Sequence, residues 1–178
     1  IIKVKADIKK IFKLGKKYKW QKPARCHHCD EPTLWGHGFV LSFFDGFDQG
    51  IYLKRYRCPY CHTIFKLKPY GYFKKFQADI RQIFSSIRSQ IYAGRYLPGL
   101  SWSRQHFWFT ALKRNIAAYL SNRWSKGLIA GFIELIRINK IPVTGQFNDQ
   151  ALSVFLHPTE CCDLREGSSV IQALKLKF

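Results

Sequence analysis

Apolar residues recur along the chain with two different periods, and the change of period divides it. Over residues 6–19, Ile8, Ile11, Phe12 and Leu14 fall on one side of a helical projection while Lys9, Lys10, Lys13, Lys16 and Lys17 fill the rest. That spacing predicts a short amphipathic helix with a lysine face. The pattern then turns to β. Residues 32–44 concentrate Leu34, Trp35, Phe39, Val40, Phe43 and Phe44, a turn follows from Asp45 to Gly50, and residues 51–57 and 63–68 supply two further strands. A Pro and a Gly in Lys68-Pro69-Tyr70-Gly71 mark a boundary.

Beyond it the helical period returns. Phe73, Phe76, Ile80, Ile83, Phe84, Ile87 and Ile91 form one stripe, predicting a helix that stops near Gly94. After Leu97-Pro98-Gly99-Leu100, Ser101 is a candidate N-cap for a second helix over 102–123, with Trp108, Leu112, Ile116 and Leu120 facing inward. A third helix is expected over 127–140. After Pro142 the pattern weakens: residues 143–148 are loop-like, 151–156 suit a strand or short helix, and 170–176 suit a closing strand. The expected fold class is α+β, with residues 1–70 forming an N-terminal helix and small sheet, 71–141 a helical bundle, and 142–178 a C-terminal extension.

Charge adds a partner class. Of 178 residues, 30 are Lys or Arg and 11 are Asp or Glu, for a net charge of +19. Hydrophobic content of 47% and aromatic content of 16% mark a folded globule rather than a basic tail. Self-repulsion on that scale calls for an anionic partner, and nucleic acid is preferred over a membrane because no apolar run approaches the roughly 20 residues of a bilayer span. The first residues lack the apolar core of an export signal, so a bacterial cytoplasmic, nucleoid-associated location is expected. The lysines of the first helix, together with Lys54, Arg55 and Arg57 interleaved with Tyr52 and Tyr56, are candidate phosphate and base contacts. Helix, turn, helix over 73–123 is the minimum for a helix-turn-helix, whose second helix would present Ser103, Arg104, Gln105 and His106 to base edges, with Lys113 and Arg114 outside. An ordinary helical hairpin is the competing reading.

The most specific chemistry lies in Cys26-His27-His28-Cys29 and Cys58-Pro59-Tyr60-Cys61-His62. Two Cys-x-x-Cys pairs flanking a β-rich segment suit a tetrahedral four-thiolate zinc site, which pins a sheet too small to fold unaided and makes a zinc ribbon. Cys26, Cys29, Cys58 and Cys61 are the expected ligands of one structural Zn²⁺. Disulfides compete with this reading, although a basic chain with no export signal points to reduced thiols. His27, His28 and His62 sit in the same knuckles and are alternative donors. His157, Cys161 and Cys162 hint at a second site that lacks a fourth ligand. A closed thiolate shell leaves no position for water, no carboxylate spacing fits two-metal chemistry, and no phosphate loop or catalytic triad is visible, so a non-enzyme without a small-molecule substrate is expected.

The run Tyr56-Arg57-Cys58-Pro59-Tyr60-Cys61-His62-Thr63-Ile64-Phe65, followed by a Pro and a basic helical region, resembles the zinc ribbon and helix-turn-helix part of bacterial insertion-sequence transposases and their stand-alone relatives. The likeness covers residues 24–123. It departs from the family where a glycine usually follows each knuckle, since Asp30 and His62 stand there. What the resemblance implies is duplex DNA binding at element ends, with the four cysteines as zinc ligands, Ser103, Arg104 and Gln105 opening the recognition helix, and a transposase as a possible protein partner. The competing function is that of a protein- or RNA-interaction subunit in a larger nucleoprotein complex such as a CRISPR-associated assembly.

Overall fold

The structure, a computed structural model, describes residues 1–145. They fall into two compact units, Ile1–Ala78 and a second that opens at Asp79. The elements expected over 151–156 and 170–176, and the His157, Cys161 and Cys162 cluster, lie outside the described residues.

The first unit is built on a four-stranded sheet in the order β1-β4-β3-β2, from β1 (Ile2–Val4), β2 (Trp35–Ser42), β3 (Ile51–Arg57) and β4 (Ile64–Pro69). The central strands are antiparallel, whereas β1 lies parallel to β4. Gly50 makes the β2–β3 return possible: a Cβ there would lie 2.5 Å from Leu41 Cγ, so any larger residue would collide with it. The expected 6–19 helix is shorter. Asp7 caps α1 (Ile8–Leu14) by accepting from Lys9 N at 2.9 Å, and Gly15, with φ of 54°, ends it in a 3₁₀ turn over Gly15–Lys17.

Among the described residues of this unit, two apolar clusters form. Ile2, Val4, Leu34, Tyr56, Phe65 and Leu67 pack with Cys26 and Cys58, while Ile11, Phe44, Ile51, Leu53 and Tyr72 form the other. Tyr72 is why the unit runs past the expected boundary at Tyr70-Gly71. Its ring meets Phe44 edge-on at 4.8 Å, and the buried Lys68 ammonium donates to Phe73 O at 2.7 Å and Phe76 O at 2.8 Å. Phe73 and Phe76 therefore belong to the first unit, not to the helix that their spacing predicted.

The second unit is helical: α2 (Ile80–Ala93), α3 (Trp102–Leu120) and α4 (Gly127–Arg137). Asp79 starts α2 by accepting from Arg81 N at 2.6 Å, and Gly94 ends it in the left-handed conformation. α3 packs against both α2 and α4, burying Trp108, Leu112 and Ile116 along one side. Residues 94–101 join α2 to α3, a longer joint than the turn of about three to four residues that defines a helix-turn-helix. No described helix is long and apolar enough to cross a membrane.

Candidate metal centre and basic surfaces

Both knuckles share one backbone design. Cys26 N donates to Glu31 O at 2.7 Å and Cys58 N donates to Thr63 O at 3.1 Å, so each loop closes at the same offset from its first cysteine. Asp30 and His62, each next to the second cysteine of its pair, have φ of 61° and 58°. This is the left-handed region that favours glycine. The chain keeps the turn while departing from the residue that suits it best.

The two loops bring their sulfurs together across the sheet end. Cys26 Sγ lies 3.6 Å from Cys61 Sγ, Cys29 Sγ lies 3.5 Å from Cys58 Sγ, and all four sulfurs fall within 4.8 Å of one another. Disulfide sulfurs would be about 2.05 Å apart, and the four cysteines are free. A tetrahedron with metal–sulfur bonds near 2.3 Å has edges of about 3.8 Å, close to the observed pairs. The four cysteines could therefore hold one metal ion.

The thiols also show what a cation would relieve. Hydrogen bonding to the Thr63 side chain and backbone holds the Cys61 thiol down to about 5. Cys29 is lowered by a backbone hydrogen bond involving Glu31, yet burial and its sulfur neighbours push it up to about 12. Sulfurs this close cannot all be thiolates without a positive ion between them. His27, His28 and His62 are not in the cluster. His27 instead packs edge-on against Phe65 at 4.8 Å, and His62 Nδ1 lies 3.3 Å from Arg57 Nη2.

The expected nucleic-acid contacts scatter over several surfaces. Lys9, Lys10, Lys13, Lys16 and Lys17 are all exposed on α1 and the turn after it. Lys16 Nζ sits 4.8 Å from the Tyr52 ring centroid, and Lys54 Nζ sits 4.5 Å from that of Phe39, so these two lysines and their aromatic supports lie along one stretch of β2 and β3. Strand alternation puts Arg55 and Arg57 on the opposite face from Lys54. The three cannot serve one surface together, as their interleaving with tyrosines had implied.

On α3, Ser103 and His106 are exposed, and the Arg104 guanidinium lies 5.0 Å from the Trp108 ring centroid. Lys113 and Arg114 are exposed further along, with Arg114 Nη2 donating to Thr144 O at 3.1 Å. Gln105 is a correction. It is only 1% exposed, and its amide is committed: Oε1 accepts from Ser86 Oγ and Leu97 N, while Nε2 donates to Leu97 O and Leu100 O. A side chain so occupied holds the α2–α3 joint and reads no base. Its place one turn before Trp108, on the buried stripe, was the available signal.

The exposed aromatics were also missed as a set. His106 stacks on Trp102 at 5.0 Å with an 11° interplanar angle, and Trp35 and Tyr60 are well exposed on the first unit. The chain matches no family model, no curated protein and no solved structure. Its chemistry is therefore read from its own geometry.

Proposed function

We infer that the protein is a zinc-dependent nucleic-acid-binding module, acting on duplex DNA and related in role to transposition, as an accessory factor, a regulator or part of a transposase. It works by binding and not by catalysis, because a four-thiolate ion has no open position for substrate or water. The observation that carries the reading is the sulfur cluster closing a sheet whose unit also bears the exposed lysines of α1. Zinc suits four thiolates in tetrahedral array, although iron suits the same set. Phosphate binding by Lys and Arg releases counterions, so affinity should fall steeply with salt.

Elemental analysis of the purified protein, paired with gel shifts on duplex, single-stranded and structured RNA probes at two salt concentrations, tests both halves. One zinc per chain and a salt-steep preference for duplex DNA are expected. Absence of stoichiometric metal, or iron in its place, refutes the zinc reading; salt-insensitive or absent binding refutes the rest. Exposure of Trp35, Tyr60, Tyr92 and Trp102 favours a second reading, an interaction subunit of a nucleoprotein complex. Preference for structured RNA in the same assay would select it.

A further inference from the structure

The cation row on one face of the first unit's sheet has no role in the metal centre. In the parallel register of β1 and β4, Lys3 is the partner of Lys68, and in the antiparallel register of β3 and β4, Arg55 is the partner of Lys66. Lys66 and Lys68 are two residues apart on β4, so all four side chains emerge on the same face. Like charges directly opposite each other destabilise a sheet. Two such pairs side by side call for an anion.

A cavity of about 210 Å³ opens over this face, and its wall includes Lys66, Lys68, Lys75, Ser42, Gln77 and Phe43. Among the described residues, the lining holds three lysines and no carboxylate. Lys68 is the innermost of these lysines, 5% exposed. Two of its three N–H groups go to the Phe73 and Phe76 carbonyls, which are neutral dipoles and do not cancel an ammonium charge. Burial first, then Lys3 and Lys66, pushes its pKa down to about 7. An anion in the cavity would reverse that. Lys75 holds a φ of 67°, a strained conformation for a side chain that lines a pocket.

We propose that this cavity is a phosphoryl-binding pocket, in which Lys66, Lys68 and Lys75 hold a phosphate monoester and Phe43 covers the group attached to it. Lysine ammoniums suit phosphate oxygens as point charges. Ser42 and Gln77 add neutral hydrogen-bonding groups. Phe43, 59% exposed at the rim, offers a ring face to a sugar or base. A free nucleotide and the phosphorylated end of a strand present the same chemistry. This site does not depend on the nucleic-acid reading above.

The test is calorimetric titration of the metal-replete full chain with AMP and with adenosine, and then of the K66Q/K75Q variant. AMP should bind at least about tenfold more tightly than adenosine, and the variant should lose at least about tenfold in AMP affinity. K126Q, exposed in the second unit, should leave AMP affinity unchanged. Lys68 is left intact because it holds two carbonyls of the fold. Equal binding of AMP and adenosine, or AMP affinity unaffected in K66Q/K75Q, overturns the pocket. Short oligonucleotides with 5′-phosphate or 5′-hydroxyl ends then identify the source. Preference for the phosphorylated strand assigns a strand end; tight AMP binding without that preference assigns a free nucleotide, and either outcome upholds the pocket. Loss of the duplex gel shift with AMP binding retained would sink the proposed function and leave the pocket standing.

Discussion

Withdrawing the ion should unfold the first unit while the second stays helical. Cys26 and Cys58 are buried in the same cluster as Ile2, Val4, Leu34, Tyr56, Phe65 and Leu67, so an ion held by the four sulfurs would sit at the edge of the core and not on an outlying loop. Sulfurs 3.5 and 3.6 Å apart repel as thiolates by about 5 kcal/mol per pair at an effective dielectric of 20. Structural zinc in small domains contributes about 10–16 kcal/mol, whereas a whole domain is stable by only about 5–15 kcal/mol. Loss of the ion therefore removes as much as the unit has. Hydrogen exchange under reducing conditions, before and after chelation, resolves the two units: amides of β3 and β4 should lose protection while those of α3 keep it. Cys58→Ser should reproduce the effect without chelator. Retained protection across β3 and β4 in the metal-free, reduced protein would refute the argument.

Four further outcomes follow from single contacts. Replacing His62 by Gly should relieve the left-handed strain at the second knuckle; the strain of about 1–2 kcal/mol exceeds glycine's entropic cost, so a net gain of about 0.5 kcal/mol is expected in a denaturant melt, and a loss would refute it. Gln105→Leu should cost about 2–4 kcal/mol because it strands Ser86 Oγ and the Leu97 N–H and carbonyl; a variant that melts like wild type but shifts base preference would restore Gln105 as a reader. Burial holds Lys3 down to about 8 and Lys68 to about 7, against an ordinary value near 10.5. The unfolded chain thus carries more protons than the folded one between about pH 7 and 10, and these lysines make the fold more stable as pH rises through that window; Lys3→Met should flatten the rise in urea melts, and an identical slope counts against it. The K16Q/K54Q double variant should lower the salt slope of duplex binding by about 2, and an unchanged slope would remove this stretch from the interface.

What could be read from the chain was what depends on neighbours in sequence. The cysteine spacing reports directly on two tight turns, and the four sulfurs do converge. Strand β3 could be bounded to the residue because Gly50 and Cys58 bracket it. β1 could not, since three residues pair with β4 only once the chain has returned over a long separation. The apolar stripe from Phe73 to Ile91 looked continuous because spacing records that a residue is buried, not which core buries it. Asp79 was the overlooked punctuation, an N-cap in the middle of that stripe. Gln105 failed for a related reason: its polarity was taken for exposure, whereas it is buried on α3. Asn115, which the pattern did not single out, is buried on the same helix and donates to the Pro142 and Thr144 carbonyls at 2.9 and 3.1 Å.

The same confusion of composition with placement bears on how this surface meets a polyanion. Leu53-Lys54-Arg55-Tyr56-Arg57 reads as a single basic and aromatic strip, but a strand sends alternate residues to opposite faces. Lys54 lies with Phe39 and Tyr56, and Lys16 over Tyr52, so on that face each ammonium rests on a ring. On the other face Arg55 opposes Lys66, and Lys3 opposes Lys68, whose Nζ also lies 5.5 Å from the Phe44 ring centroid. A ring-supported ammonium keeps its charge and remains accessible to an extended phosphate backbone. Lys66 and Lys68, which line the cavity, are relieved by one compact anion set there. One strand thus divides its charge into two kinds of site, and variants at Lys54 and Lys66 should separate them: the first should change salt dependence on duplex, the second affinity for a phosphate monoester.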